Sequence, residues 1–309
     1  MGGLGLLLRR RAIQAHPTIG NENIKFEDAA VEALLISKGV SSDGVTITKG
    51  DAEKVTSIGT WFANKTGISL FREFKFFVNV KELQTDAFRG CTLTHIDCSN
   101  IISISSQAFY KCSKLSELDI RNAISIGSYA FQECTSLNKI SLDSVESISS
   151  NAFFSAGEFE FFAPKLHTLN GTEQFRQSGI KTFAAPSLTY IVSKAFYKCS
   201  KLSELDIKNV TSIGSYAFQE CTSLNKISLD SIESISSNAF LACSNLSAII
   251  INKDIPAAIE ASSFNNTPIA KGTGYIYVPD AAVDAYKGAV NWSSFAARIK
   301  PISEYQSVA

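Results

Sequence analysis

The sequence predicts an α/β repeat solenoid, in which short parallel strands, one from each repeat, form a sheet along one face. Two observations predict this fold class. Residues 107–156 return almost unchanged as residues 194–243, at an offset of 87 residues. Within each copy, an Ala-Phe pair with a cysteine three residues after the phenylalanine recurs at a spacing of 22 residues. A fixed repeat of about 20 to 50 residues is typical of solenoids, because one unit cannot bury its hydrophobic face alone.

The phenylalanines of this pattern run through most of the chain. The series is Phe88, Phe109, Phe131, Phe153, Phe175, Phe196, Phe218, Phe240 and Phe264. Successive members are 21, 22, 22, 22, 21, 22, 22 and 24 residues apart, so the count continues through the divergent stretch around Phe175. Phe62, 26 residues before the first member, is a candidate for an irregular first unit.

Each unit is predicted to contain one short strand and a second extended arm. In the unit that begins at Cys112, the apolar residues Leu118 and Ile120 alternate with charged residues at positions 117, 119 and 121. Because side chains of a strand alternate between its two faces, the apolar residues point inward and the charged ones outward. Residues 124–126 form the second arm, and Gly127 supplies a turn.

The composition argues against a disordered, a nucleic-acid-binding and a membrane-spanning protein. Hydrophobic residues make up 45% of the chain and charged residues 19%, so it has enough apolar material for a core and no signature of disorder. The 29 basic and 29 acidic residues give a net charge of zero. Since a nucleic-acid-binding domain needs a clustered basic face, we expect no nucleic-acid partner. No stretch approaches the roughly 20 apolar residues of a membrane span, so we expect a soluble chain.

We divide the chain into four regions. Residues 1–20 are an apolar and basic tail, 21–60 a helical N-terminal cap, 61–265 the repeats and 266–309 a C-terminal cap. Apolar residues at helical spacing support the first cap, with Asp28 near the start of the helix and Gly39 at its end. Solenoids need such caps, because their terminal repeats otherwise expose apolar surface.

The tail does not have the order of a secretory signal. A short apolar run precedes Arg9, Arg10 and Arg11. A secretory signal places its positive charges before an apolar run of about 7 to 15 residues. We therefore expect no secretory signal in this tail, and the sequence shows no route of export.

Six of the seven cysteines occupy one position of the repeat, three residues after its phenylalanine. They are Cys91, Cys112, Cys134, Cys199, Cys221 and Cys243. Small, half-buried free thiols explain this pattern better than disulfides do. The spacing fits no zinc site, and the loop with Asp43 and Asp51 has too few carboxylates for calcium. We expect no metal and no cofactor.

The repeat resembles a known family. The pattern C-xx-L-xx-L-x-I, followed by S-I-G-xx-A-F-xx-C, is similar to the BspA-like class of leucine-rich repeats found in treponemal and gut-bacterial surface proteins, and the match covers residues 55–265. The resemblance implies a right-handed leucine-rich-repeat solenoid with a parallel β-sheet face. The chain from Tyr275 on resembles the C-terminal cap of such proteins, which implies an α+β cap there, whereas the small helical N-terminal cap rests on the helical spacing of residues 22–40. The functional implication of the resemblance is adhesion or binding at a host surface.

Outward side chains on the predicted strands line up in three columns. The first holds His95, Glu117, Lys139, Glu204 and Lys226; the second Asp97, Asp119, Asp206 and two serines; the third Arg121, Asp143, Lys208 and Asp230. Opposite charges are expected to face each other on adjacent rungs, as in Glu117 with Lys139 and Arg121 with Asp143. One interpretation is that these charges only solvate the sheet and fix its register. The other is that they form a concave binding surface.

A catalytic interpretation is weaker. His95 and Asp97 lie two residues apart on one strand face and have the side chains of an acid–base pair. Their aligned neighbours, Glu117 and Asp119, provide neither a nucleophile nor a metal. The sequence contains none of the familiar hydrolase, metalloprotease, phosphate-loop or dinucleotide motifs, so we expect no enzyme.

The divergent middle of the chain is rich in aromatic residues. Phe159, Phe161, Phe162 and Phe183 replace the polar residues of the neighbouring units. One hypothesis is an exposed aromatic contact patch. The alternative is that these rings belong to the core, beside prolines at the exits of strands.

We therefore expect a non-enzymatic interaction or adhesion protein, outside the cell or at its surface, that recognises a protein or a glycan. The alternative is a structural component of a virion, a tail or head-fibre protein of a bacteriophage or prophage of gut bacteria. In that case we expect residues 1–20 to contact other virion proteins. This tail is apolar and basic and does not have the order of an export signal, so it has the composition of a docking segment.

Overall fold

A computed structural model describes residues 22–305. It confirms a solenoid of short parallel strands with few helices. In chain order the strands are β1 (Leu70–Phe71), β2 (Glu82–Leu83), β3 (His95–Asp97), β4 (Ser103–Ile104), β5 (Glu117–Asp119), β6 (Ser125–Ile126), β7 (Lys139–Ser141), β8 (Ser147–Ile148), β9 (Glu160–Phe162), β10 (Thr168–Leu169), β11 (Thr182–Ala184), β12 (Tyr190–Ile191), β13 (Glu204–Asp206), β14 (Ser212–Ile213), β15 (Lys226–Ser228), β16 (Ser234–Ile235), β17 (Ala248–Ile250), β18 (Ala258–Ile259), β19 (Tyr275–Val278) and β20 (Ile299–Pro301).

The helices lie towards the two ends. They are α1 (Ala29–Ser37), α2 (Lys49–Lys54) and α3 (Val283–Gly288), with 3-10 helices at Arg72–Phe76, Asp280–Ala282, Trp292–Arg298 and Ile302–Glu304. In the part of the chain that the structure describes, none of them is both long and apolar enough to cross a bilayer.

The strands form two rows, because each repeat contributes one strand to each row. The first row contains the sheets β1-β3-β5-β7, β9-β11-β13 and β15-β17-β19-β20. The second row contains β2-β4-β6-β8-β10 and β12-β14-β16-β18. All these pairs are parallel, and equivalent repeat positions are strand partners, as Ile96 is with Leu118 and Ile104 with Ile126. These apolar partners are buried, so every turn adds side chains to one continuous core.

The repeated phenylalanines form a stack along this core. Phe62 begins it, with its ring centroid 5.0 Å from that of Phe88, and the stack continues through every predicted member to Phe264. Successive centroids are 5.0 to 5.7 Å apart. Phe264 then contacts the rings of Trp292 and Phe295, 6.1 and 5.6 Å away. Because the ring spacing follows the rung spacing of parallel strands, each phenylalanine packs on both neighbours.

Each phenylalanine from Phe88 to Phe240 lies between two residues of left-handed backbone. Tyr216 and Glu220, two residues before and after Phe218, have φ angles of 59° and 58°. The same pair of positions is left-handed around Phe109, Phe131 and Phe196, although its residues are not glycine. This conformation costs an L-residue roughly 1 to 2 kcal/mol, so the packing of the core maintains it.

The repeat cysteines connect successive turns. Their Sγ atoms donate to the carbonyl oxygen of the phenylalanine in the preceding repeat, at 2.9 Å from Cys112 to Phe88, 3.1 Å from Cys134 to Phe109, 2.8 Å from Cys199 to Phe175, 3.1 Å from Cys221 to Phe196 and 2.9 Å from Cys243 to Phe218. All seven cysteines are free and buried. The expectation of free thiols is therefore correct, but the thiols are fully rather than half buried.

Both ends of the solenoid are covered by other elements. Asp28 is the N-cap of α1 and also accepts hydrogen bonds from the backbone of Ser69 and Leu70, so it joins the helix to β1. Burial would raise the pKa of Asp28, but these hydrogen bonds lower it. At the other end, the indole of Trp292 donates to the Ala257 carbonyl at 2.6 Å.

Candidate functional site

The outward columns of the first row are the candidate site. β3, β5 and β7 place His95, Glu117 and Lys139 as successive strand partners. Two residues further along the same strands, Asp97, Asp119 and Ser141 are aligned in the same way. The predicted register of these two columns is therefore correct. It follows from alternation, since Ile96 and Leu118, which lie between the two columns on β3 and β5, are buried.

The ion pairs within the first column differ from the expected ones. Glu117 is the strand partner of Lys139, but its carboxylate pairs with His95 on the preceding rung, where Nε2 and Oε2 are 2.8 Å apart. Among the described residues, no ion pair within 4.0 Å involves Lys139. Lys139 is exposed, so water solvates its ammonium group in place of a carboxylate partner.

Arg121 also pairs with a residue other than the expected one. Its guanidinium binds both carboxylate oxygens of Asp119, two residues earlier in the chain, rather than Asp143 on the next rung. The hydrogen bond with Asp119 raises the pKa of Arg121 further, and the charge of Asp143 contributes less. The expected Arg121–Asp143 pair is therefore wrong, because the two carboxylate oxygens of Asp119, at the end of β5, accept hydrogen bonds from the planar guanidinium.

The second copy of the repeat carries the same acidic residues with more solvent exposure, and it has Lys208 in place of Arg121. Glu204 and Asp206 lie on β13, and the Nζ atom of Lys208 is 3.7 Å from a carboxylate oxygen of Asp206. Lys226 lies on β15, and Asp230 follows it; both are exposed. The Lys208–Asp206 pair therefore corresponds to the Arg121–Asp119 pair, but it has one contact where the guanidinium binds both carboxylate oxygens.

A shallow depression lies at the N-terminal end of the columns. It has a volume of about 300 Å³ and is lined by residues of β3, β5 and β7. Arg72 and Lys75, from the 3-10 helix at Arg72–Phe76, also line it. Sequence reasoning missed these two basic residues, because they lie before the first regular unit and outside the repeat alignment.

The first row contains two interruptions. Between the described strands, no pairing joins β7 to β9 or β13 to β15. Ile140 on β7 and Leu205 on β13 occupy inward positions but are only partly buried, whereas the equivalent Leu118 is buried. A depression lies at each interruption, of about 620 Å³ at β7–β9 and about 540 Å³ at β13–β15. The sequence carries no signal for the second, since β13 and β15 repeat the sequences of the paired strands β5 and β7.

The aromatic residues of the middle unit divide between core and surface. Phe159, Phe161 and Phe183 are buried, and Phe161 stacks on Phe183 at 5.0 Å. Only Phe162 of these four rings is exposed, at 58%. A contact patch made of all four is therefore wrong, and the core interpretation holds for three. The period of two along β9 contains the signal, because it places Phe161 inward and Phe162 outward.

The chemistry available on this surface is hydrogen bonding and charge. The cysteines form little thiolate in the folded state at neutral pH, since burial raises the pKa of Cys91 to about 11 and those of Cys199 and Cys243 to about 12. Across residues 22–305, no three His, Cys, Asp or Glu side chains form a group that could hold a metal ion. The expected basic tail, residues 1–20, lies outside the described residues.

Comparison with solved structures gives low similarity scores. A leucine-rich repeat protein from Bacteroides ovatus matches at a TM-score of 0.40 and 19% identity, over 58% of this chain and 59% of that one, so the chain spans about three fifths of it. A leucine rich cell surface protein from Faecalibacterium prausnitzii matches at 0.35 and 22%, over 78% and 79%. The pneumococcal vaccine antigen PcpA matches at 0.37 and 18%, over 73% and 76%.

The sequence itself matches a family. No curated protein is significantly similar to the chain. The profile of the BspA type leucine-rich repeat region matches residues 52–165 and 168–280, in six copies. These two ranges include the phenylalanine stack from Phe62 to Phe264 and the strands of both rows from β1 to β19. The chain therefore belongs to the BspA-type leucine-rich-repeat family.

Proposed function

We propose that the protein is a non-enzymatic interaction protein whose first-row face recognises a protein or a glycan. The observation that carries the proposal is the register of the columns, in which His95, Glu117 and Lys139 are successive strand partners. Strands hold side chains at fixed spacing, so the columns present charges that are already ordered before a partner binds.

The core supports this role by holding the strands in place. The phenylalanine stack and the thiol-to-carbonyl bonds connect every repeat to its neighbours along the solenoid. A binding surface built on such rungs loses little conformational entropy when it binds. Its depressions are shallow, so they suit an extended partner that contacts several rungs at once.

The columns also favour binding over catalysis. His95 and Asp97 are the side chains closest to an acid–base pair, but the Nε2 atom of His95 is already bound to Glu117 at 2.8 Å. A general base must reach the proton that it removes, and it works with a nucleophile or electrophile beside it. We assign His95 to the recognition columns and propose no reaction for it.

A location outside the cell or at its surface is part of the proposal. It is supported by membership of the BspA-type family, because repeats of this class occur in bacterial surface proteins. The free cysteines are compatible with an oxidising compartment, because all seven are buried. Buried thiols with raised pKa values react slowly with oxidants and disulfides.

A second candidate function is a structural role in a virion. It rests on residues 1–20, whose apolar run followed by Arg9, Arg10 and Arg11 has the composition of a docking tag. The chain lacking residues 1–20 tests it. Loss of incorporation into particles would support the virion role, and unchanged assembly would reject it.

The main proposal is tested by binding of the full chain to immobilised extracellular matrix proteins and glycans. A variant with Glu117→Gln, Asp119→Asn and Arg121→Gln removes the central charges of the columns, and its two carboxylate-to-amide changes keep the side-chain size. We expect it to lose about tenfold or more in affinity, since each charged hydrogen bond contributes about 1.5 to 3 kcal/mol. The matched control, Glu233→Gln, removes a charge beside the second row and should bind like the unaltered protein. Equal binding by both variants would reject the columns as the site.

A further inference from the structure

Phe162 is an aromatic ring that stands alone on a polar surface. It is 58% exposed and points outward from β9, in the strand position that Asp97, Asp119 and Ser141 occupy on earlier rungs. On the next rung its strand partner is Ala184. The side chains at this position on both neighbouring rungs are small, one from Ser141 and one from Ala184, so neither is large enough to cover the ring.

The ring borders the depression at the β7–β9 interruption. This depression has a volume of about 620 Å³, and Ile140 and Phe159 contribute apolar surface to its lining. The inward position of Ile140 is only partly covered, since no strand pairing closes this edge of β7. Small-molecule sites have volumes of about 300 to 1,000 Å³, so the depression has the size of a ligand site rather than of a packing defect.

Charged side chains of both signs surround the ring. Lys139, Asp143, Glu158, Glu160 and Lys181 line the depression with Phe162. Glu158 is engaged already, because its carboxylate lies 2.9 Å from the Nζ atom of Lys181 and 3.8 Å from that of Lys201. Two lysines and three carboxylates line the depression. Lys201, which pairs with Glu158 from outside the lining, balances the remaining negative charge, so the surroundings do not favour a charged ligand.

Three of these charges have no partner of their own. Within residues 22–305, Lys139, Asp143 and Glu160 make no ion pair within 4.0 Å and no side-chain hydrogen bond. Lys139 can donate to a hydroxyl group, and the two carboxylates can accept from hydroxyl groups. The rim therefore offers charged hydrogen bonds to a neutral molecule that carries hydroxyls on several sides.

We propose that Phe162 and the β7–β9 depression bind a neutral hexopyranose unit of a glycan. The proposal rests on the proposed function and names the ligand class within it. A pyranose ring has an apolar face of C–H groups, which packs on the exposed ring of Phe162, and hydroxyls at its edge, which reach Lys139, Asp143 and Glu160. Aromatic rings attract the positive edges of C–H groups through their negative faces.

A protein partner fits this site less well. Binding hot spots in protein interfaces are fully desolvated pockets, and the residues around them exclude water. Here one ring is surrounded by exposed charges and by the small side chains of Ser141 and Ala184. Burying Lys139, Asp143 and Glu160 under an apolar partner would leave three charges without hydrogen bonds, which is costly. Sugar hydroxyls supply those hydrogen bonds.

The test is a titration of the full chain with neutral oligosaccharides of glucose, galactose and mannose, and with sialylated and sulfated oligosaccharides for comparison. We expect a neutral oligosaccharide to bind, and Phe162→Ala to weaken it about tenfold, as expected for one lost aromatic contact. Phe162→Trp should keep the affinity, because it keeps a flat ring. Tyr190→Ala is the matched control, since Tyr190 is an aromatic residue of the second row that is 45% exposed.

The outcomes separate this proposal from the general one. Binding of no neutral oligosaccharide, preference for the charged ones, or unchanged affinity in Phe162→Ala would each overturn the glycan site. If no neutral oligosaccharide binds, but the chain binds an immobilised protein and the Glu117, Asp119 and Arg121 variant loses that affinity, the glycan site fails and the recognition function stands. If neither variant loses affinity for anything that the protein binds, both fail.

Discussion

The rings of Phe196 and Phe218 lie 2° from parallel, with their centroids 5.1 Å apart. They are equivalent residues of successive repeats, and both are fully buried. The same relationship recurs at Phe175 and Phe196, with 5.1 Å and 4°. A solenoid in which each repeat contacts only its neighbours depends on such interfaces, so the loss of one ring weakens the contacts of two repeats.

We expect Phe218→Ala to lower the free energy of unfolding by about 3 to 5 kcal/mol, because it removes a large buried side chain and leaves a cavity. Phe218→Leu should cost less, since it keeps most of the apolar volume. Urea unfolding followed by circular dichroism measures both. Phe162→Ala is the control and should change stability by no more than about 0.5 kcal/mol, because that ring is exposed. A cost below about 1 kcal/mol at Phe218 would contradict the role of the stack.

The buried cysteine thiols predict a loss of folding stability in alkaline solution. Burial raises the pKa of Cys91 from 9.0 to about 11 and that of Cys243 to about 12. Above pH 9 the unfolded chain releases these protons first, so the folded chain binds more protons and its stability falls as the pH rises. The slope is up to about 1.4 kcal/mol per pH unit for each buried thiol. Below pH 9 this contribution is constant. Unfolding by urea at pH 8 to 11 measures the slope.

One substitution isolates the titrating group. Cys221→Ser replaces the thiol with a hydroxyl, which can still donate to the Phe196 carbonyl but does not ionise in this pH range. The variant should show a smaller slope above pH 9 than the unaltered chain, whatever its stability at pH 8. Equal slopes would mean that the thiol at 221 is ionised or exposed in the folded state.

The repeat arithmetic was sufficient to predict the fold. The spacing of the phenylalanines predicted the repeat units, with Phe62 as a candidate for the first, and the structure adds that their rings stack. The alternation of Leu118 with charged neighbours predicted the register of β3, β5 and β7. These features depend on local sequence periods, which packing then enforces. The ion pairs were less predictable, because Glu117 has a basic strand partner on each adjacent rung, His95 and Lys139. Arg121 likewise has a carboxylate in its own repeat, Asp119, and another on the next rung, Asp143.

Two features of the candidate site could not be predicted. β13 and β15 repeat the residues of β5 and β7, yet only β5 and β7 are paired, so their difference arises from the surrounding turns rather than from their own sequence. The left-handed residues beside each phenylalanine were also missed. Tyr216 and Glu220 are not residue types that indicate a positive φ, and the conformation is imposed by the solenoid.

The left-handed positions predict a stabilising substitution. Ala242, two residues after Phe240, has a φ of 59°, and the equivalent residue after Phe88 is Gly90, with a φ of 64°. Ala242→Gly should raise the free energy of unfolding by up to about 1 kcal/mol, because the steric cost of a left-handed alanine exceeds the entropy cost of glycine. Ala281→Gly, in a 3-10 helix, should be destabilising and serves as the control. Thermal unfolding compares the two, and a destabilised Ala242→Gly would show that the turn carries no strain.

Gly157 allows two turns to approach closely beside the β7–β9 interruption. Its amide donates to the Cys134 carbonyl at 3.0 Å, and a Cβ atom at this position would lie 2.7 Å from the Thr135 carbonyl oxygen and 2.8 Å from the Leu137 nitrogen. These neighbours are backbone atoms and cannot move aside without moving the turn. Gly157→Ala should therefore destabilise the protein by about 1 to 3 kcal/mol through overpacking.

Gly67→Ala is the matched control for Gly157→Ala, because no atom lies within 4 Å of its added Cβ. It should be neutral or slightly stabilising, since alanine lowers the entropy of the unfolded chain. If Gly157→Ala displaces β9, it should also weaken the binding of a neutral oligosaccharide at Phe162, which Gly67→Ala leaves unchanged. Urea unfolding and the same titration, carried out on both variants, measure the two effects. Equal stability of the two variants would contradict the close approach of the turns at Gly157.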